Sequence, residues 1–211
     1  MKKILLTLTA VAGLTFASQA QEFGFEKGNV IIEGNLGFST TNNKNAEVKN
    51  STFSFNPKAG YFLTDKIAVG IELGVGTENE DNYAEGVDAQ EKSNQFGIGA
   101  FGRYYFLELG SRFKTYTELG AGYLQSQDEE TVGGTTVKDP KISGFGANLG
   151  IGANYFLTDN IAINFAFTDL LGFSTAKADV DGAKSVTQFG ANLNRFNNFF
   201  EAATFGLTFK F

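Results

Sequence analysis

Thr204-Phe205-Gly206-Leu207-Thr208-Phe209-Lys210-Phe211 decides the fold of this chain. Side chains of a β-strand point alternately to opposite faces, so Phe205, Leu207, Phe209 and Phe211 make one face continuously apolar, while Gly206, Thr208 and Lys210 share the other. The sequence ends on the aromatic tip of that segment. At the opposite end, Met1-Lys2-Lys3 precedes an apolar run from Ile4 to Phe16 and then Ala17-Ser18-Gln19-Ala20, with small residues at the last and third-last positions. This pattern reads as a secretory signal peptide over residues 1–20, cut after Ala20, followed by one exported domain over residues 21–211. An exported chain that ends in an aromatic-tipped amphipathic strand points to a β-barrel in the bacterial outer membrane.

Working outward, eight alternating segments are expected at 28–40, 51–62, 66–77, 93–106, 112–124, 141–156, 160–174 and 199–211. Most reach the ~9–11 residues that a tilted strand needs to cross a bilayer. In the third, Ile67, Val69, Ile71, Leu73 and Val75 share a face that suits lipid, opposite Ala68, Gly70, Glu72, Gly74 and Gly76. The sixth sets Phe145, Ala147, Leu149, Ile151, Ala153 and Tyr155 against a Gly/Asn face from Gly144 to Asn154, a poor core for a soluble protein. Short turns at Leu63–Asp65, Leu107–Ser111 and Leu157–Asn160 alternate with long polar links at 41–50, 78–92, 125–140 and 175–198. The expected fold is therefore all-β, an eight-stranded antiparallel up-and-down transmembrane β-barrel with short periplasmic turns and longer extracellular loops. Aromatics beside the short turns, namely Tyr61, Phe62, Tyr104 to Phe106, Phe113, Tyr155 and Phe156, are expected to form an interfacial girdle.

Two turns are near copies, Tyr61-Phe62-Leu63-Thr64-Asp65-Lys66-Ile67-Ala68 and Tyr155-Phe156-Leu157-Thr158-Asp159-Asn160-Ile161-Ala162. With the export signal, the Tyr104-Tyr105-Phe106 strand end and the terminal strand, they make the chain resemble the small OmpA/OmpX-like outer-membrane barrels, particularly the single-domain barrels of the Bacteroidetes type. The resemblance implies insertion by the barrel-assembly machinery, with Phe205, Leu207, Phe209 and Phe211 as the assembly signal. It supplies no ligand. Because the sequence stops at Phe211, no peptidoglycan-binding domain is expected after the barrel. The small barrel enzymes that act on lipid use histidine, and no residue here carries that role over.

Composition narrows the chemistry. The formal net charge is -6, with no basic footprint for nucleic acid. Without cysteine there are no disulfides or thiolates, and without histidine the usual imidazole acid/base and zinc chemistries are absent. No catalytic, cofactor-binding or metal-binding residues and no cofactor are expected; the acidic 78–92 stretch and Asp179-Val180-Asp181-Gly182 are read as polar loops, with cation bridging the alternative for the first.

Alternation turns Glu33, Lys58, Glu72, Arg103, Lys114 and Glu118 inward, where basic groups, Arg103 among them, compensate buried glutamates in a structural network. An interior of eight strands is filled by side chains, so an open pore is not expected. The functional expectation is a monomeric, non-enzymatic outer-membrane barrel that contributes to envelope structure or surface interaction, in contact with outer-membrane lipids and an extracellular ligand whose identity is left open. The alternative is a narrow channel or transporter for a small or hydrophobic solute. A soluble lipocalin-type carrier would need the inverse arrangement, apolar inside and polar outside.

Overall fold

The alternating segments form strands that pair with their neighbours in antiparallel register. The computed structural model describes residues 23–83, 89–191 and 204–211; the expected signal peptide and residues 199–203 of the expected last strand lie outside them. In chain order the strands are β1 (Val30–Asn43), β2 (Val48–Phe62), β3 (Ile67–Asn82), β4 (Ala89–Leu109), β5 (Phe113–Val132), β6 (Thr135–Lys138), β7 (Ile142–Phe156), β8 (Ile161–Ala178), β9 (Val186–Ala191) and β10 (Thr204–Lys210). Closure comes from β10, which pairs with β8 through Thr204–Phe209 and with β1 through Gly206–Lys210, giving a closed eight-stranded barrel of β1, β2, β3, β4, β5, β7, β8 and β10. β6 lengthens the β5 hairpin, and β9 lies along β8 beyond the part that β10 covers.

The repeated Tyr-Phe-Leu-Thr-Asp sequence builds the same turn twice. Leu63 N–H donates to the Ile67 carbonyl at 2.9 Å, and Ile67 N–H donates to Thr64 Oγ1 at 3.0 Å. In the second copy Leu157 donates to the Ile161 carbonyl at 2.8 Å and Ile161 to Thr158 Oγ1 at 3.1 Å. The threonine hydroxyl satisfies a donor that the tight turn leaves without a ladder partner.

At the other end of the barrel the strands run further than expected. The described part of the 78–92 stretch is mostly ladder, in a pairing continuous from Ile67↔Tyr104 to Asn82↔Ala89. Likewise 125–140 contains the rest of β5, a Gly133-Gly134 turn with φ of 56° and 78°, and β6. Such paired positive φ values make the tight hairpin turn that glycine permits. The long links at 41–50 and 175–198 shorten in the same way, by growth of β1, β2 and β8 and by β9. Beyond the bilayer water wets both faces of a strand, so no alternation is imposed and a polar ladder reads as a loop.

The outward face is apolar and bare: Ile67, Val69, Ile71, Leu73 and Val75 are exposed, as are Phe205, Leu207, Phe209 and Phe211. Of the expected girdle, Tyr61, Tyr104, Phe106 and Tyr155 point outward, whereas Phe62, Tyr105 and Phe156 are buried inside the barrel. Residues adjacent in a strand face opposite ways, so a run of neighbouring aromatics must divide between lipid and lumen.

Candidate functional site

Every strand of the barrel contributes a polar side chain to one layer across the lumen. Arg103 on β4 is its centre and is 2 % exposed. Its Nη1 and Nη2 donate to Glu33 Oε1 and Oε2 on β1, each at 2.7 Å, the bidentate fork for which guanidinium is suited. Nε donates to Glu118 Oε2 on β5 at 2.8 Å. Lys58 on β2 then joins Glu118 Oε1 at 2.5 Å to Glu72 Oε2 on β3 at 2.7 Å. On the far side, Thr208 of β10 donates to Glu33 Oε1 at 2.7 Å, Asn154 of β7 donates to Thr208 Oγ1 at 2.8 Å, and Asn164 of β8 donates to the Tyr116 hydroxyl at 2.8 Å. The Arg103 guanidinium also lies 3.9 Å from the Tyr116 ring centroid. Charges removed from water cost several kcal/mol each unless paired and hydrogen-bonded, and here each of Arg103 and Glu33 has several partners.

Below this layer, at the short-turn end, an aromatic cork closes the lumen. Phe25 enters from the segment before β1 and stacks on Phe62 with centroids 4.3 Å apart, with Tyr105 at 4.8 Å and Phe156 at 5.1 Å. The segment is tied to the rim: Lys210 Nζ donates to the Gly24 carbonyl at 2.9 Å, and the Arg112 guanidinium lies 4.2 Å from the Phe23 ring centroid. Gly24 has φ of 138°, where a side chain would be strained, and its free side abuts Lys114.

Above the layer small side chains predominate on the lumenal face, with Leu124 and Phe167 also on its wall. A cavity of about 1040 Å³ reaches from Glu33, Lys58 and Glu72 up past Gly97, Gly122 and Gly146 to Gln188 and Gly190 of β9. The barrel is thus plugged over its lower part and cup-shaped over its upper part.

All six expected interior charges face inward, and five of them form the network. Lys114 does not: it lies lower and pairs with Glu108 at 2.6 Å, across a hairpin whose register shifts between Tyr105 and Leu107. The cation beside Glu72 is Lys58, not Arg103, because β2 places Lys58 directly opposite Glu72. Sequence reasoning missed Tyr105, Tyr116, Asn154, Asn164, Thr208 and the cork residue Phe25. Tyr105, Tyr116, Asn154 and Thr208 share phase with the recognised charges on their strands or on ladder partners, and Asn164 is reached through its pair Asn154, so alternation held the signal; Phe25 lies in an irregular segment with no periodicity to expose it. Among the described residues no group of three or more Asp or Glu side chains is placed to hold a metal ion.

A family model for the outer membrane protein beta-barrel domain matches residues 6–207. Among solved structures, the chain is similar to the outer membrane protein OprG of Pseudomonas aeruginosa at 17% identity and a TM-score of 0.49, covering 89% of this chain and 98% of that one. It is also similar to the attachment invasion locus protein Ail of Yersinia pestis, crystallised with the heparin analogue sucrose octasulfate, at 14% identity and a TM-score of 0.47, over 88% of this chain and 99% of that one. The N-terminal β-barrel domain of Pseudomonas aeruginosa OprF aligns at 17% identity and a TM-score of 0.41, over 89% and 100% of the two chains. No curated protein matches the chain. The closed barrel, its apolar outer band and the match over nearly its whole length agree: the chain belongs to the outer membrane protein beta-barrel family and is a protein of the bacterial outer membrane.

Proposed function

We propose that this protein is a non-enzymatic, monomeric and closed barrel that contributes to envelope structure and presents its long hairpins at the cell surface. One observation carries the reading: the layer around Arg103 and Glu33 draws a side chain from each of β1, β2, β3, β4, β5, β7, β8 and β10, so a solute meets a continuous bonded obstruction. The terminal strand face of Phe205, Leu207, Phe209 and Phe211 serves as the signal to the assembly machinery. In planar bilayers the purified barrel gives no stable solute-sized conductance; a stable open level would sink the closed reading. Deleting the polar ends of the β3–β4 and β5–β6 hairpins, followed by envelope-permeability and adhesion assays, separates the structural role from display.

The second reading, a narrow transporter for a small or hydrophobic solute, is favoured by a different observation. Above the Asn35↔Gly206 pair, β1 and β9 share no ladder among the described residues, while the cup extends to β9. Uptake of a small apolar solute into cells that falls when Gly172 and Gly190 are replaced by leucine would support transport through this side. Normal uptake with both replacements would remove it.

A further inference from the structure

Among the described residues the cup has an uncharged wall and a floor with one cation too few. The plug contains three carboxylates, Glu33, Glu72 and Glu118, against two cations, Lys58 and Arg103, a formal excess of one negative charge. Glu33 uses both oxygens on Arg103, and Glu118 uses one on Lys58 and one on Arg103. Glu72 uses only Oε2. Its Oε1 stands beside the bare backbones of Gly99 and Gly120, 3.1 and 3.3 Å from where their Cβ atoms would be, and accepts no hydrogen bond among the described residues. The Glu72 side chain is 27% exposed, and it lines the cavity.

The strand ends beyond the cup have the same sign. Register places Glu80 opposite Glu91 and Glu91 opposite Glu130, three carboxylates side by side on β3, β4 and β5. All are in phase with Glu72, Gly99 and Glu118, so they belong to the lumenal face. Like charges directly opposed across strands are destabilising, which leaves a negative field that an entering cation relieves. Lys49, Lys92 and Lys138, the nearby lysines, are out of phase with that face, and Lys138 is bound to Glu129.

We propose that the cup binds an organic cation, an alkylammonium or amidinium compound, with its charged group on Glu72 Oε1 and its apolar part against the glycine wall. An ammonium carries only donors and Glu72 offers only acceptors. An anion would meet the free oxygen of Glu72 on a floor whose two cations are already paired with carboxylates, and a neutral apolar solute would leave the carboxylate desolvated and unpaired. A cavity of about 1040 Å³ accommodates such a molecule together with water. The inference rests on the closed-barrel reading, because an open floor would pass the cation on.

Benzylamine, benzyl alcohol and benzoate share one ring and differ in charge, and the whole barrel in lipid nanodiscs can be titrated with each. Benzylamine should bind and shift the Gly99 and Gly120 amide resonances, with the other two weaker by at least about tenfold, the worth of one charge-assisted hydrogen bond. Glu72→Gln, which keeps shape, should cost benzylamine a similar factor. Replacing Glu80, Glu91 and Glu130 together by glutamine, at a water-exposed site remote from the plug, should flatten the salt dependence of binding. Equal binding of benzoate, unmoved glycine amides, or an affinity untouched by Glu72→Gln in a still heat-modifiable barrel would overturn the proposal. Channel recordings on the same preparation separate the two claims: conductance defeats the closed barrel, whereas a silent barrel that ignores benzylamine defeats only the cup.

Discussion

The two halves of this lumen are built from the same alternation and differ at particular glycines. In the lower half, a Cβ on Gly60 would stand 3.0 Å from Ile31 Cγ1 and 3.1 Å from Phe101 Cζ, and one on Gly152 would stand 2.5 Å from the Tyr116 hydroxyl. In the upper half, Gly172 and Gly190 have nothing within 4 Å. Gly60 and Gly152 are space that a large neighbour already fills and Gly172 and Gly190 are space left open, whereas Gly97, Gly99, Gly120 and Gly122 on the cup wall would meet neighbouring atoms within 3.0 Å. A barrel of this size is just wide enough for side chains to fill, so the choice between plug and cup is made layer by layer, by the summed volume on the lumenal face.

The harshest way to break the contrast is to remove the centre of the plug. Arg103→Ala would leave Glu33 and the near-buried Glu118 without their shared cation, and losing one partner of a buried ion pair costs about 3–5 kcal/mol. Arg103→Lys should restore little, since a single ammonium cannot reproduce the fork to Glu33 together with the bond to Glu118. Urea unfolding from lipid vesicles, read by heat-modifiability, measures both; a midpoint unchanged in Arg103→Ala would show the network to be ornamental. Glu72→Leu should cost less than Arg103→Ala, because Lys58 keeps Glu118 and Glu72 is partly in water.

Next comes the cork. Phe25→Ala deletes a buried ring packed on Phe62, Tyr105 and Phe156, a change worth about 3 kcal/mol in a well-packed core. Its consequence for permeability should nevertheless be nil, because the Arg103 layer above still blocks the lumen. A Phe25→Ala barrel that conducts in planar bilayers would show that the cork, and not the charged layer, is the seal.

How much of this was legible follows from period two. It sorted lipid-facing Ile71 from lumen-facing Glu72, and it turned all six interior charges the right way. It did not say which would meet, because partnership depends on the stagger between strands: Glu72 opposite Lys58 and Arg103 opposite Glu118 are facts of register. Lys114 left the network for the same reason, displaced by an irregularity in the hairpin. Phe62 and Tyr105 were visible in phase with Lys58 and Arg103, yet their position beside short turns suggested lipid. The polar halves of β3, β4 and β5 carry no one-sided burial to impose a pattern, and there the sequence reads as loop.

The smallest effect is also the most discriminating, since it changes sign between the halves. Gly152→Ala adds one methyl against the Tyr116 ring and the Phe165 carbonyl, with no open space to take it up. Overpacking of this kind costs about 1–3 kcal/mol, and here the ring that must move also supports Arg103. Gly172→Ala adds the same methyl, in the same kind of strand, to open space, and Gly172 does not adopt a positive φ that a side chain would resist. The folded state therefore loses nothing while the unfolded chain loses freedom, a stabilisation of about 0.4–1 kcal/mol. Unfolding midpoints should move down for Gly152→Ala and slightly up for Gly172→Ala. If both fall by the same amount, Gly172 is as tightly engaged as Gly152 and the open space beside it does not exist.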